Sequence, residues 1–351
     1  MGSMVTMLSA CSVPPLDGVW LAGDLHVHSS VGSNDTDGNG TVEALGPAME
    51  EAGLDFLFIT DHSNAQGSMG CEDVEDCPNQ GPEISGVAWP EGVIEGSEIS
   101  PIASLEGNGG PTGHVGCLPL EGAFVDLEVW IDRPPGEVSG KDAVEQCVAK
   151  GGWAIVEHPH AAAPWVEYDW TSEDFDALEV YNGGARFDPW DAESVSEWEA
   201  RAADGVVPVG GSDCHRWGGT VPDDFLNPPL GWPTTWVRVL DGELPIDALV
   251  AGRVVIGEPD VSLRIEASTR RQRAGPGGVI DGPAELLVEG HSEGDVELQL
   301  VRIPGEVVAS GSDELVYEGQ QGLYYARFWP TDPDFTALAT GVALTGVIRV
   351  R

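Results

Sequence analysis

The spacing of apolar residues changes character once along this chain, near residue 260, and that switch limits the folds open to it. Between residues 20 and 210, short apolar runs alternate with helix-like segments. Runs at 21–27, 54–60, 92–99, 113–118, 152–156, 177–181 and 206–209 read as strands, and 41–52, 140–150 and 191–204 as helices. Such alternation predicts parallel βα units, and about seven strands favour a closed or nearly closed barrel over a short open sheet. After Arg253-Val254-Val255-Ile256-Gly257, the runs at 262–267, 284–289, 296–302, 322–329 and 342–351 alternate apolar with polar residues between turns. That is the texture of an antiparallel β-sandwich. The expected architecture is therefore α/β: a tether over 1–18, a barrel over 19–260 and a small C-terminal sandwich over 261–351. Segments 64–90 and 182–189 are long, acidic and rich in Gly and Pro, as loops around active sites often are.

Charge narrows the partners. With 59 acidic against 16 basic side chains, the formal net charge is −43. Such a chain repels phosphate backbones and anionic membrane surfaces, so nucleic acid is not an expected partner. No run of eighteen apolar residues occurs, so no transmembrane segment is expected. Leu8-Ser9-Ala10-Cys11 resembles a bacterial lipobox, in which the cysteine carries lipid. Met1-Gly2-Ser3 in front of it reads as a cloning remnant before a truncated signal, since a full one needs a basic stretch and a longer apolar run. Residues 12–18 then form the tether. Cys71 and Cys77 bracket an acidic loop where a disulfide would suit an oxidising compartment, and no zinc-type C-x-x-C pattern is present. These features predict a cell-envelope or secreted protein with a lipid anchor at Cys11.

Seven of the eight histidines lie in the expected barrel, and their placement carries the chemistry. His26 and His28 end the first strand, and Asp61 and His62 follow the second. Glu98 ends the third, His114 opens the fourth and His158 ends the fifth; Asp213 and His215 follow the last. Strand carboxyl ends converge on one face of a βα barrel, so these residues would meet. Side chains at i and i+2 of a strand point the same way, which suits His26-x-His28 and Asp213-x-His215 to one ion. Imidazole with carboxylate suits Zn, Mn or Fe. The alternative, a set of hydrogen-bonded core histidines, would bury many polar groups at high cost.

The segments Gly23-Asp24-Leu25-His26-Val27-His28-Ser29, Ile59-Thr60-Asp61-His62-Ser63, Gly96-Ser97-Glu98-Ile99-Ser100, Gly113-His114-Val115, Glu157-His158-Pro159 and Gly211-Ser212-Asp213-Cys214-His215 together resemble the PHP (polymerase and histidinol phosphatase) superfamily over roughly residues 20 to 257. Leu178-Glu179-Val180-Tyr181-Asn182-Gly183 is similar to its extracytoplasmic, carbaryl-hydrolase-like branch, whose members often carry a C-terminal β-domain. The resemblance implies a distorted (β/α)7 barrel, a di- or trinuclear metal centre, and hydrolysis, usually of phosphoesters. It also implies that His26, His28, Glu98 and Asp213 hold one ion; Glu98, His114 and His158 a second; and Asp37, His62 and His215 a third. The sequence departs from the pattern around Thr36-Asp37-Gly38, which lies in a longer insertion. Asp35, Asp37, Asn39 and Gly40 also mimic half of a calcium loop, but position twelve would be Gly46 rather than Glu. Cys214, between Asp213 and His215, reads as a spacer.

The expected mechanism is attack by a metal-bridging hydroxide on phosphorus, with no side-chain nucleophile. Arg186 and Arg216 are candidates to hold substrate oxygens, and His160 to exchange a proton with the leaving group. Two other functions compete for the same residues. One is hydrolysis of carboxyl-ester, carbamate or amide bonds; the other is a non-catalytic, metal-stapled envelope binding protein.

Overall fold

The computed structural model describes residues 16–33, 36, 38–62, 87–99, 114–121, 140–160, 175–183, 187–217, 228–332 and 339–351. Cys11, Asp37, Cys71, Cys77 and Arg186 lie outside these residues.

The first part of the chain contributes β1 (Val19–Val27), α1 (Val42–Ala52), β2 (Phe56–Ile59), β3 (Val93–Glu95), β4 (Ser97–Ile99), β5 (His114–Pro119), α2 (Gly140–Ala149), β6 (Gly152–Glu157), β7 (Ala177–Asn182), α3 (Pro189–Arg201) and β8 (Val207–Gly211). Next come β9 (Thr234–Val239), α4 (Pro245–Val250) and β10 (Val254–Gly257). The helix ends are written locally. α1 stops at Gly53 in the left-handed region (φ 71°), whose N–H reaches the carbonyls of Met49 and Glu50. α3 starts with a capping box between Asp188 and Asp191, followed by a proline in its first turn.

Strand pairing is mixed. β1 runs parallel to β2 and antiparallel to β9, and β2 runs parallel to β3. β4–β5 and β5–β6 are antiparallel, whereas β6–β7 and β7–β8 are parallel. Here the structure corrects the expected parallel barrel: no closed barrel forms among the described residues, and the strands divide between two sheets. A parallel pair needs a long crossover, and the sequence offers three helix-like segments for seven strands. The two sheets meet at two seams. At Gly96 one chain passes from pairing with β2 to pairing with β5, and a Cβ there would sit 3.0 Å from the Cys117 carbonyl oxygen. After β8, Cys214 bridges to Val27, with Asp213 N donating to His26 O (2.8 Å) and His28 N to Cys214 O (2.9 Å). That second seam brings the end of β8 against the end of β1.

The remaining chain is all strand: β11 (Ser262–Ser268), β12 (Arg273–Ala274), β13 (Val279–Ile280), β14 (Ala284–His291) and β15 (Val296–Arg302). β16 (Glu306–Gly311), β17 (Glu314–Gly319), β18 (Gly322–Pro330), β19 (Ala343–Thr345) and β20 (Ile348–Val350) complete it. A four-stranded sheet, β12-β11-β14-β17, packs on β15, β18, β19 and β20 through Ile265, Leu286, Val288, Leu300, Ala326 and Phe328. The alternating burial of β14 and β15 is what the sequence pattern predicted. The second layer does not end at residue 260. β19 pairs with β10, so one sheet runs from the C-terminal strands through β10 and β9 to β1. Tyr325, Val342 and Leu344 share an apolar core with Leu178, Trp198 and Ile256. Among the described residues no helix is long and apolar enough to cross a membrane.

Candidate metal centre

Six histidines converge where β1, β2, β5, β6 and β8 meet. Five of their rings form a closed circuit: His26–His28 (centroids 5.1 Å), His28–His62 (4.5 Å), His62–His114 (5.3 Å), His114–His158 (4.9 Å) and His158–His26 (5.7 Å). His215 stacks on His28 at 4.2 Å. Of the six, only His215 is more than marginally exposed, at 18 %. Asp213 adds a carboxylate: its Oδ1 is 3.2 Å from His28 Nε2, 3.4 Å from His26 Nε2 and 3.7 Å from His215 Nδ1. Asp213 sits at φ 55° and His158 at φ 29°, a region that non-glycine residues rarely occupy and that clusters at functional sites.

The donor atoms fall into two triplets, His28–His62–His215 and His26–His158–Asp213, each with its atoms within 4.8 Å of one another. Ligands about 2.1 Å from a single ion stand roughly 3–4 Å apart, so either triplet needs only small adjustments to close on one. Buried imidazoles with one shared carboxylate fit Zn, Mn or Fe. This grouping differs from the one the resemblance implied, since His28 falls with His62 and His215 while His26 falls with His158. His114 lies in neither triplet, but its Nδ1 is 3.1 Å from His158 Nε2. Glu98 is described through its backbone alone, opposite Gly116 in β4.

The charges reinforce one another. Burial alone would lower the pKa of His26, but Glu157, Asp213 and Glu179 outweigh it and hold the imidazole well above its usual value. Burial alone would raise Asp213, yet His26, His28 and His215 hold that carboxyl well below the ordinary range. The carboxylate is thus kept ionised where it faces the imidazoles.

Asp61 stands apart from the triplets. It accepts from Ser29 N (2.5 Å), Ser29 Oγ (2.6 Å) and Ser33 Oγ (3.0 Å), and burial pushes its pKa up to about 6. Because Ser33 gives its one proton to Asp61, its oxygen accepts from His28 Nδ1 (3.2 Å) and from the backbone N–H of His62 (3.2 Å). Asp61 therefore orients His28 through Ser33, with His28 Nε2 facing Asp213 Oδ1 at 3.2 Å.

Of the other candidates, His160 lies in the turn after β6 with Nδ1 3.6 Å from Glu193 Oε2 on α3, outside both triplets. Arg216 follows His215, and its carbonyl accepts from the Cys214 thiol at 3.2 Å. Cys214 is fully buried and burial pushes its thiol up, which fits a spacer rather than a ligand. The disulfide found among the described residues joins Cys117 to Cys147. Sequence reasoning missed Glu157, Glu179 and Asp24. Each is the one carboxylate of a largely apolar strand, in β6, β7 and β1 respectively, a signal that was legible. Asp24 accepts from the backbone N–H groups of Ser212 (2.9 Å) and Gly231 (2.8 Å), tying β1 to the chain around β8.

No protein-family model matches the chain, and no curated protein matches it. Among the solved structures similar to it are two at 16% and 17% identity. One is a two-domain protein containing a predicted PHP-like metal-dependent phosphoesterase from Bacteroides vulgatus, at 16% identity and a TM-score of 0.40, covering 96% of this chain and 97% of that one. The other is PsfC from Pseudomonas syringae, at 17% identity and a TM-score of 0.41, covering 66% of this chain and 88% of that one.

Proposed function

We propose that this chain is a metal-dependent hydrolase acting on a small phosphoester at a centre of at least two divalent ions. The observation that carries the reading is Asp213 Oδ1 lying within 3.2–3.7 Å of nitrogens from His26 in its own donor triplet and from His28 and His215 in the other. His28, His62 and His215 would hold one ion, and His26, His158 and Asp213 another. Ions bound there supply Lewis acidity, lowering the pKa of a water molecule and offsetting charge that builds on substrate oxygens. The chain's own groups do the rest. Asp61 and Ser33 keep a proton on His28 Nδ1, and Asp213 stays ionised between the imidazoles. His160, on the rim beside α3, is placed to exchange a proton with a leaving group. Arg216 is a candidate to orient substrate oxygens. The sequence resemblance to PHP hydrolases favours phosphorus over carbonyl carbon. The Cys117–Cys147 disulfide supports an oxidising location such as the cell envelope or the exterior.

The test is turnover of p-nitrophenyl phosphate and p-nitrophenyl acetate before and after chelation, with Zn²⁺ or Mn²⁺ added back. Metal-restored hydrolysis of the phosphate is expected. Metal-restored hydrolysis of the acetate alone would move the reading to carbonyl substrates. No turnover of either by metal-loaded protein would leave a binding protein.

A further inference from the structure

Glu179, on β7, belongs to no metal triplet, yet its carboxylate contacts two members of one. Oε1 lies 3.1 Å from His26 Nδ1, and Oε2 accepts from the backbone N–H of His158 at 2.8 Å. Oε2 also accepts from Asn182 Nδ2 at 2.9 Å. The side chain is 2% exposed, so these bonds form away from bulk water. Space for it depends on Gly211, where a Cβ would stand 2.3 Å from His26 Cβ and 3.0 Å from Glu179 Oε1.

Each contact has a consequence. A carboxylate only accepts, so the bond requires a proton on His26 Nδ1 and leaves the Nε2 lone pair for an ion. Nε2 is the atom that faces Asp213 Oδ1 at 3.4 Å and His28 Nε2 at 3.1 Å. The second bond pins the backbone of His158 at its unusual φ of 29°, the conformation from which that imidazole reaches the centre. A local hydrogen bond of this strength in a water-poor setting can offset the strain of one such residue.

We propose that Glu179 is the positioning residue of the His26–His158–Asp213 site: it selects Nε2 of His26 as the donor atom and fixes the backbone that presents His158. This role rests on the metal-centre reading. The complementary device at the other triplet is the Ser33–Asp61 pair behind His28, so each half of the centre has its own orienting carboxylate. Glu179→Gln separates the two functions of the side chain. Its amide has one accepting oxygen, which can serve His158 N–H or His26 Nδ1–H but not both. An NH₂ turned toward His26 would favour the tautomer with the proton on Nε2, the wrong nitrogen for binding.

The experiment is a Zn²⁺ titration of chelator-stripped wild type and Glu179→Gln, with circular dichroism to confirm folding. In parallel, ¹⁵N-histidine NMR of the zinc-loaded wild type reads which nitrogen of His26 is coordinated. Expected are two bound ions in the wild type, and His26 bound through Nε2 with Nδ1 protonated. The variant should weaken one ion by about 10–100-fold and leave the other largely unchanged. Equal affinities in the two proteins, or coordination of His26 through Nδ1, would overturn the role of Glu179 alone. A wild type that takes up no zinc would overturn the metal reading and this role with it. If Glu179→Gln does not fold, Asn182→Ala replaces it, because it removes only the amide that steadies Oε2. A smaller loss at the same single site is then expected, and unchanged binding would overturn the proposal.

Discussion

At the residue scale, the most consequential contact is that of Asp213 with three imidazoles, because removing either side leaves the other uncompensated in a buried place. His28→Ala and Asp213→Ala should each lower bound metal and reduce turnover at least about 100-fold, since second-tier partners of metal ligands alone are worth 10–100-fold. His160→Gln should keep the metal and lower only the rate. Elemental analysis and phosphatase kinetics on all three variants check this, and metal loss in His160→Gln would move that residue into the centre. Glu258 makes a separate prediction away from the site. Burial pushes its carboxyl from an ordinary 4.5 to about 7, against bonds from the N–H groups of Gly341 and Val342. The folded state therefore holds the proton more tightly than the unfolded one. That stabilisation is complete below about pH 4.5 and is lost as pH rises through about 7. Glu258→Gln should gain stability on the wild type by about 2 kcal/mol between pH 5 and pH 8, read by urea unfolding at both values. Parallel stability profiles would show that Glu258 does not titrate in this range.

At the element scale, β5 and the end of β6 present two imidazoles, His114 in β5 and His158 directly after β6, whose nitrogens lie 3.1 Å apart, and α2 packs behind the two strands. The Cys117–Cys147 disulfide ties β5 to α2 across 30 residues, and both sulfurs lie against Gly152 at the start of β6. Replacing both cysteines with alanine should cost about 3 kcal/mol in chemical denaturation, with metal content retained because neither sulfur is a ligand. Loss of metal alongside stability would mean that the tie also sets the spacing of His114 and His158. The main elements were legible from pattern: the expected runs at 21–27, 113–118, 152–156 and 177–181 are strands to within two residues, and 41–52 and 140–150 are helices. The run at 92–99 reads as one strand in sequence, but it is two, because Gly96 lets it change partners. β9 went unread, as did β16, which pairs with β15, and β17, which pairs with β14.

At the scale of the whole molecule, the C-terminal layer is bonded into the half that holds the histidine cluster. Besides the β10–β19 pairing, Tyr325 OH donates to Glu199 on α3, Trp198 meets the Tyr325 ring edge-on at 5.0 Å, and Phe187 meets Trp329 at 5.3 Å. Cutting the chain after residue 258 would bare β10 and the apolar residues, among them Trp198 and Ile256, that the C-terminal layer covers. The fragment should aggregate, although every proposed ligand lies within it; a monomeric, metal-binding fragment by size exclusion would show the layers to be independent. The net charge of −43 acts on the entire surface. Raising NaCl from about 20 mM to 500 mM shortens the screening length several-fold, so the melting temperature should rise by a few degrees. A flat or falling melting temperature would show that the carboxylates are already compensated by close partners.

The sequence by itself determined that His26 and His28 leave β1 on the same side, because i, i+2 geometry is a local property of the backbone. It also determined where helices stop and where the β-rich part begins, since caps and periodicity act over a few residues. Tertiary structure alone decided the rest. Whether His28 groups with His26 or with His62 depends on how β1, β2 and β8 approach one another. That Asp61 orients while Asp213 faces the imidazoles depends on Ser33 standing between Asp61 and His28. That Glu179 reaches both His26 and His158 depends on strands more than 150 residues apart in sequence coming together, and on Gly211 leaving the room. Local pattern fixes what each segment can offer, but partners distant in the chain are chosen by packing, which no short window of sequence contains.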